Sequence, residues 1–199
     1  MSKRSIEDFK AVLQTGGVRP TMFEVIINSP GGILLNLEEF FDNNNIRQLM
    51  MLCKSATIPA STVTTVNVGL PAGAALKLPG SRIFDPWNIT VINDGAMKMR
   101  EYFENWSSLI INHRDQTSIT NLNQYLGSAE VIQLDRQGNR IRTYFLEGLY
   151  PSIIESQQLS YDNNDISEFN VVFNYHYFTT RKDVKGLGGN FLDLVLSDN

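Results

Sequence analysis

The side chains in this sequence that can carry acid–base, nucleophilic or metal chemistry are few and scattered. There are two histidines: His113 lies beside Arg114-Asp115, and His176 in an aromatic-rich run. Neither has a second histidine, cysteine or carboxylate at metal-ligand spacing. The single cysteine, Cys53, has no CxxC partner and sits among apolar residues, the setting of an inert buried thiol rather than a nucleophile. The carboxylate pairs, Glu38-Glu39 and Asp162 with Asp165, fall in loop or turn stretches where solvation or capping accounts for them. No nucleophile elbow, phosphate-cradling glycine loop or dinucleotide-binding glycine pattern occurs. The chain therefore offers no catalytic, cofactor-binding or metal-ligating residue, and a non-enzymatic role without a cofactor is expected.

With 199 residues the chain fits one domain and can bury a sizeable core. A net charge of −4 argues against a protein that holds nucleic acid by neutralising phosphates. One cysteine allows no intrachain disulfide, which is compatible with a reducing compartment. The first ten residues lack the apolar core of a signal peptide, and no apolar run approaches the ~20 residues of a membrane-spanning helix. Synthesis in the cytosol, or assembly into something built there, is the expectation.

The elements follow from periodicity. The run Phe169–Tyr177 alternates Phe169, Val171, Phe173, Tyr175 and Tyr177 with Asn170, Val172, Asn174 and His176, a strand with one apolar and one mostly polar face. Asp162-Asn163-Asn164-Asp165 predicts a turn before it, so Gln158–Tyr161 and Ile166–Tyr177 read as unequal arms of a hairpin. Asn170, Asn174 and His176 are the positions that would line a solvent-filled lumen or an exposed sheet. Met22–Ile27 and Trp87–Ile92 also alternate, and Glu130–Asp135 with Arg140–Glu147 form a hairpin around Arg136-Gln137-Gly138-Asn139. Gly148-Leu149-Tyr150-Pro151 is read as the end of its second arm. Met99, Phe103, Trp106 and Ile110 have helical spacing, predicting a helix from an Asn93 or Asp94 cap to about Asn112. Ser5–Gln14 predicts a short N-terminal helix, and Ile46–Ser55 reads as either a strand or a short helix. The candidate core comprises Phe84, Trp87, Phe103 and Trp106. About eight strands and one long helix make this a mainly β protein, an antiparallel β-sandwich or barrel with one packed α-helix.

Two stretches fit the body poorly. Residues 61–80 form a strand-prone Thr/Val run and a Gly/Pro-rich return with too little bulk for a core of their own. Val63, Val66, Val68, Leu70, Leu76 and Leu78 are therefore candidate contacts with another subunit. Residues 28–47 read as an insertion packing Phe40 or Phe41 on the body, with a partner-contacting loop as the alternative. The division expected is an arm over 1–18, the β domain over 19–180 and an extension over 181–199.

Several segments, in order, resemble the tail tube proteins of contractile-tailed bacteriophages. They are Arg19-Pro20-Thr21-Met22-Phe23-Glu24-Val25, Cys53–Ala60, Gly80–Trp87, Val91–Asp94, Phe103 with Trp106, Gly148–Pro151 and Leu159–Asn164, followed by the closing strand. The resemblance covers roughly 19–178, while 28–47 and 181–199 depart from it. It implies a virion protein, assembled in the host cytoplasm, whose copies form hexameric rings stacked into a tube. Tail sheath, baseplate and tail terminator proteins would be its partners, and viral DNA would pass through the lumen without tight binding. The alternatives are a tube-initiating baseplate protein or secretion-system tube protein of the same fold, and, from another class, a small-ligand or carbohydrate-binding β-barrel using Trp87, Tyr102 or Tyr150.

Overall fold

Alternation of large apolar and polar side chains builds the centre of the molecule. The computed structural model describes residues 6–12, 17–28, 30, 51–69, 73, 75–162 and 165–182. Within them the order is α1 (Ile6–Val12), β1 (Phe23–Asn28), β2 (Cys53–Ala56), β3 (Ser61–Gly69), β4 (Ala75–Phe84) and β5 (Trp87–Ile92). Then come α2 (Lys98–Ile110), β6 (Gly127–Leu134), β7 (Arg140–Ile154), β8 (Glu168–Asn174) and β9 (Tyr177–Lys182). The structure is mainly antiparallel β, with one substantial helix.

Seven strands share one hydrogen-bonded path, β1-β6-β7-β8-β5-β2, with β9 also on β7. β7 turns the corner: its first part lies between β6 and β9, and from Tyr150 onward it pairs with β8. The body thus has two halves, β1-β6-β7-β9 and β7-β8-β5-β2, joined by one bent strand. Both halves and α2 fill a single core. Val25, Ile27, Val131 and Leu146 come from the first half, and Trp87, Ile89, Val91, Val171 and Phe173 from the second. Met99, Phe103 and Trp106 come from α2. Fully burying side chains of this size stabilises by roughly 1.5–3 kcal/mol each. The two indoles stay satisfied, Trp87 Nε1–H donating to the Thr57 carbonyl at 2.7 Å and Trp106 Nε1–H to that of Tyr125 at 2.8 Å.

Several sequence expectations need correction. The run Phe169–Tyr177 is two strands, because the chain bends at Tyr175-His176 and β9 moves from the β8 line onto the first part of β7. Gln158–Tyr161 is no strand; β8 takes β5 and β7 as partners instead. β7 does not stop at Gly148 but runs on to Ile154, since Gly148 adopts φ +68 and bends the strand without ending it. The long helix begins at Lys98, four residues past Asp94, because Met97 in the left-handed region sets the last residue before it. Asp94 still reaches it, its Oδ1 accepting from the Met99 N–H at 3.4 Å. Residues 51–52 are helical and 53–56 extended, so that stretch holds both alternatives. The β6–β7 turn follows its sequence: Asp135 Oδ1 accepts from the Gln137 and Asn139 N–H groups, both at 2.8 Å, and Gly138 has φ +80. Most of the 28–47 insertion and all of 183–199 lie outside the described residues.

Candidate assembly surfaces

β3 and β4 form a two-stranded hairpin that pairs with no other strand among the described residues. The strand-prone run and its return make a ribbon, with Pro79-Gly80 absorbed beside a register shift between Val63 and Thr65. Val66 faces Leu78 and Val68 faces Leu76 across the ladder, and positions two apart on a strand share a face. These four side chains therefore make one apolar patch, with exposures of 50%, 43%, 42% and 48%. Val63, at 44%, lies next to the register shift. Leu70 lies outside the described residues. A two-stranded ribbon is at best marginal by itself, so this patch calls for a surface to lie against.

The second surface is the face of the β7-β8-β5-β2 half turned away from the core. One hydrogen-bond chain crosses β2, β5 and β8 and reaches the end of β7. The Ser55 hydroxyl donates to Thr90 Oγ1 at 2.9 Å, and the Thr90 hydroxyl to Asn170 Oδ1 at 2.7 Å. Asn170 Nδ2 then donates to Glu155 Oε2 at 2.8 Å, just past the end of β7. The register explains the alignment, since Ser55 pairs with Thr90 and Thr90 with Asn170. Each donor has an acceptor and the row ends on a carboxylate, so the side chains are held in place on a solvated, weakly charged face. Asn174 stands farther along β8 on the same face, opposite Tyr150.

His176 falls just beyond β8. It sits in the bend between β8 and β9, exposed, with its N–H donating to the Glu147 carbonyl at 2.9 Å. Of the three lumen candidates, Asn170 and Asn174 lie on β8, and His176 stands in the bend that follows it. Sequence reading missed Ser55, Thr90 and Glu155, which only the strand register brings to Asn170.

The core candidates Trp87, Phe103 and Trp106 are buried. Phe84 is half-buried, stacked edge-on against Phe178 at 5.7 Å. The aromatic residues offered for a ligand pocket do not converge. Trp87 is fully buried against Phe173, Tyr102 packs edge-on against Phe103 and Trp106, and Tyr150 lines a separate groove with Ile110, Ile111 and His113. Burial pushes the Cys53 thiol up to about 11, an unreactive state at neutral pH. Among the described residues no helix is long and apolar enough to cross a membrane.

Comparison with known proteins follows the same line. A family model for the phage tail tube protein matches residues 18–181. Tail tube protein gp19 of Enterobacteria phage T4 is 27% identical over 176 residues, covering 87% of this chain and 98% of that protein. Its counterpart from Enterobacteria phage T6 matches with the same identity and coverage. Among solved structures, a chain of the sheath-tube complex of an extracellular contractile injection system in its extended state matches with TM-score 0.56 and 12% identity. The match covers 92% of this chain and 100% of that one. A chain of the anti-feeding prophage baseplate matches with TM-score 0.60 at 10% identity, over 83% and 96% of the two chains. At such identities the likeness to both is one of fold.

Proposed function

Because this chain belongs to the phage tail tube protein family, we propose that it builds the inner tube of a contractile tail from hexameric rings stacked on one another, conducting viral DNA during ejection. It is a structural tail tube protein, a virion component and not an enzyme. The observation that carries self-assembly is the patch of Val66, Val68, Leu76 and Leu78 on a ribbon outside the core. In the proposed assembly this hairpin is the arm that lies on a neighbouring subunit or ring, where its side chains lose their contact with water.

The face bearing Asn170 and Asn174 is assigned to the channel wall. Its hydrogen-bonded polar row supports this, because a wall that lets DNA pass must be wet without presenting a row of cations. The net charge of −4 points the same way. The β domain over 19–180 is taken as the tube unit, with assembly in the host cytoplasm. Sheath, baseplate and terminator proteins are the proposed partners. Electron microscopy of the purified chain tests the reading: hollow tubes or six-membered rings support it, and a monomer under all conditions contradicts it.

A further inference from the structure

Charge is distributed unevenly along the longest ribbon of the fold. β7 and the β8–β9 run lie antiparallel and bend together, and the 15 residues of β7 reach up to roughly 50 Å. At one end are Arg136, Arg140 and Arg142, with Arg181 at the β9 position beside Thr143. Arg19 is brought to the same end, since its carbonyl accepts from Gln133 Nε2 at 2.9 Å. Among the described residues Glu24 and Asp135 accompany these five arginines, and Asp135 is engaged in its own turn.

The far end of the ribbon has the opposite character. There residues 155–160 and 165–170 line an open cavity of about 460 Å³, with Glu155, Asp165 and Glu168 and no lysine or arginine among the described lining residues. Asp162 stands close by in the sequence, exposed. Lys54 pairs with Glu168 at 2.6 Å and Arg100 with Glu104 at 2.7 Å, so Glu155, Asp162 and Asp165 carry the acidic character of this end.

We propose that these two ends meet between copies: the arginine end of one subunit docks on the acidic end of the next. The inference rests on the self-assembly reading above and names the electrostatic half of that contact. A head-to-tail contact between unlike surfaces propagates rather than closing as a symmetric pair. It also sets polarity, because like ends brought together repel. Such a contact weakens with salt as the Debye length falls from about 10 Å at 0.1 M to about 3 Å at 1 M.

Charge reversal and restoration test it on the full chain. The variants are Arg136→Glu with Arg140→Glu, Asp162→Arg with Asp165→Arg, and all four together, each compared with wild type by sedimentation and negative-stain microscopy. Each pair alone is expected to raise the assembly threshold about tenfold or more, with the melting temperature of the unassembled subunit unchanged. The fourfold variant is expected to assemble near the wild-type threshold. A wild type that assembles while its reversed pairs assemble equally well, or a fourfold variant that stays dissociated, overturns the inference alone. Normal assembly of the arginine variant with loss of retention on heparin overturns it too, assigning that end to another polyanion. A wild type that never assembles removes the self-assembly reading itself, and this contact with it.

Discussion

Gly148 lies so close under the imidazole of His176 that a Cβ added to residue 148 would sit 2.4 Å from Nδ1. Glycine is needed there twice over, because φ +68 is also a conformation that side chains with a Cβ adopt at a cost. This is the point at which β7 and the β8–β9 run bend together from one half of the body into the other. The two residues therefore hold the corner on which the two halves are joined.

Gly148→Ala is expected to destabilise the subunit by ~2–4 kcal/mol, combining left-handed strain with overpacking. Adding His176→Ala should recover the clash and leave the strain, roughly 1–2 kcal/mol. Urea denaturation of the two single variants and the double variant checks this; additive losses would show that the imidazole is not the obstacle.

Replacing Val66 and Leu78 together by aspartate should abolish assembly while changing subunit stability by less than about 0.5 kcal/mol, since the pair sits on an exposed ribbon outside the core. Analytical ultracentrifugation and thermal denaturation read the two effects separately. Tubes of normal length from this variant would remove the hairpin from the contact.

The ease of reading this fold varied with how local the signal was. Trp87, Ile89 and Val91 declare β5 because burial alternates with the strand period, and Met99, Phe103 and Trp106 declare α2 by helical spacing. The break at Tyr175-His176 is silent in the sequence, because apolar alternation continues across it while β7 stays the neighbour and only β5 is left behind. β4 was hidden by Pro79-Gly80, which a central strand would reject and a two-stranded ribbon with a register shift accommodates. The apolar residues of the hairpin were visible as valines and leucines without a core. The row from Ser55 to Glu155 was not, because it depends on pairing between residues up to 80 positions apart.

Cys53 should resist alkylation in the native subunit at pH 8 and react at once in urea, because burial holds its pKa near 11 in place of 9.0. Since the folded value is the higher one, the contribution to stability is complete below pH 9 and is lost as pH rises through about 11. Cys53→Ala should flatten that alkaline decline in urea titrations. An unchanged slope between those pH values would point to other groups.

Changing Asn170 and Asn174 to lysine should leave the subunit folded and tube-forming but slow DNA passage, because cations on the channel wall would bind phosphate. Infectivity of phage carrying the two changes, with tails counted by microscopy, reports it. Normal tails with undiminished infectivity would move that face away from the channel.

The most direct measurement is cryo-electron microscopy of the purified wild-type chain at high concentration. Hollow tubes of stacked six-membered rings are expected, with the Asn170 row facing the channel and the β3–β4 hairpin lying on a neighbouring copy. Particles that remain single subunits at every concentration and salt, or tubes in which that hairpin touches no other copy, would contradict it.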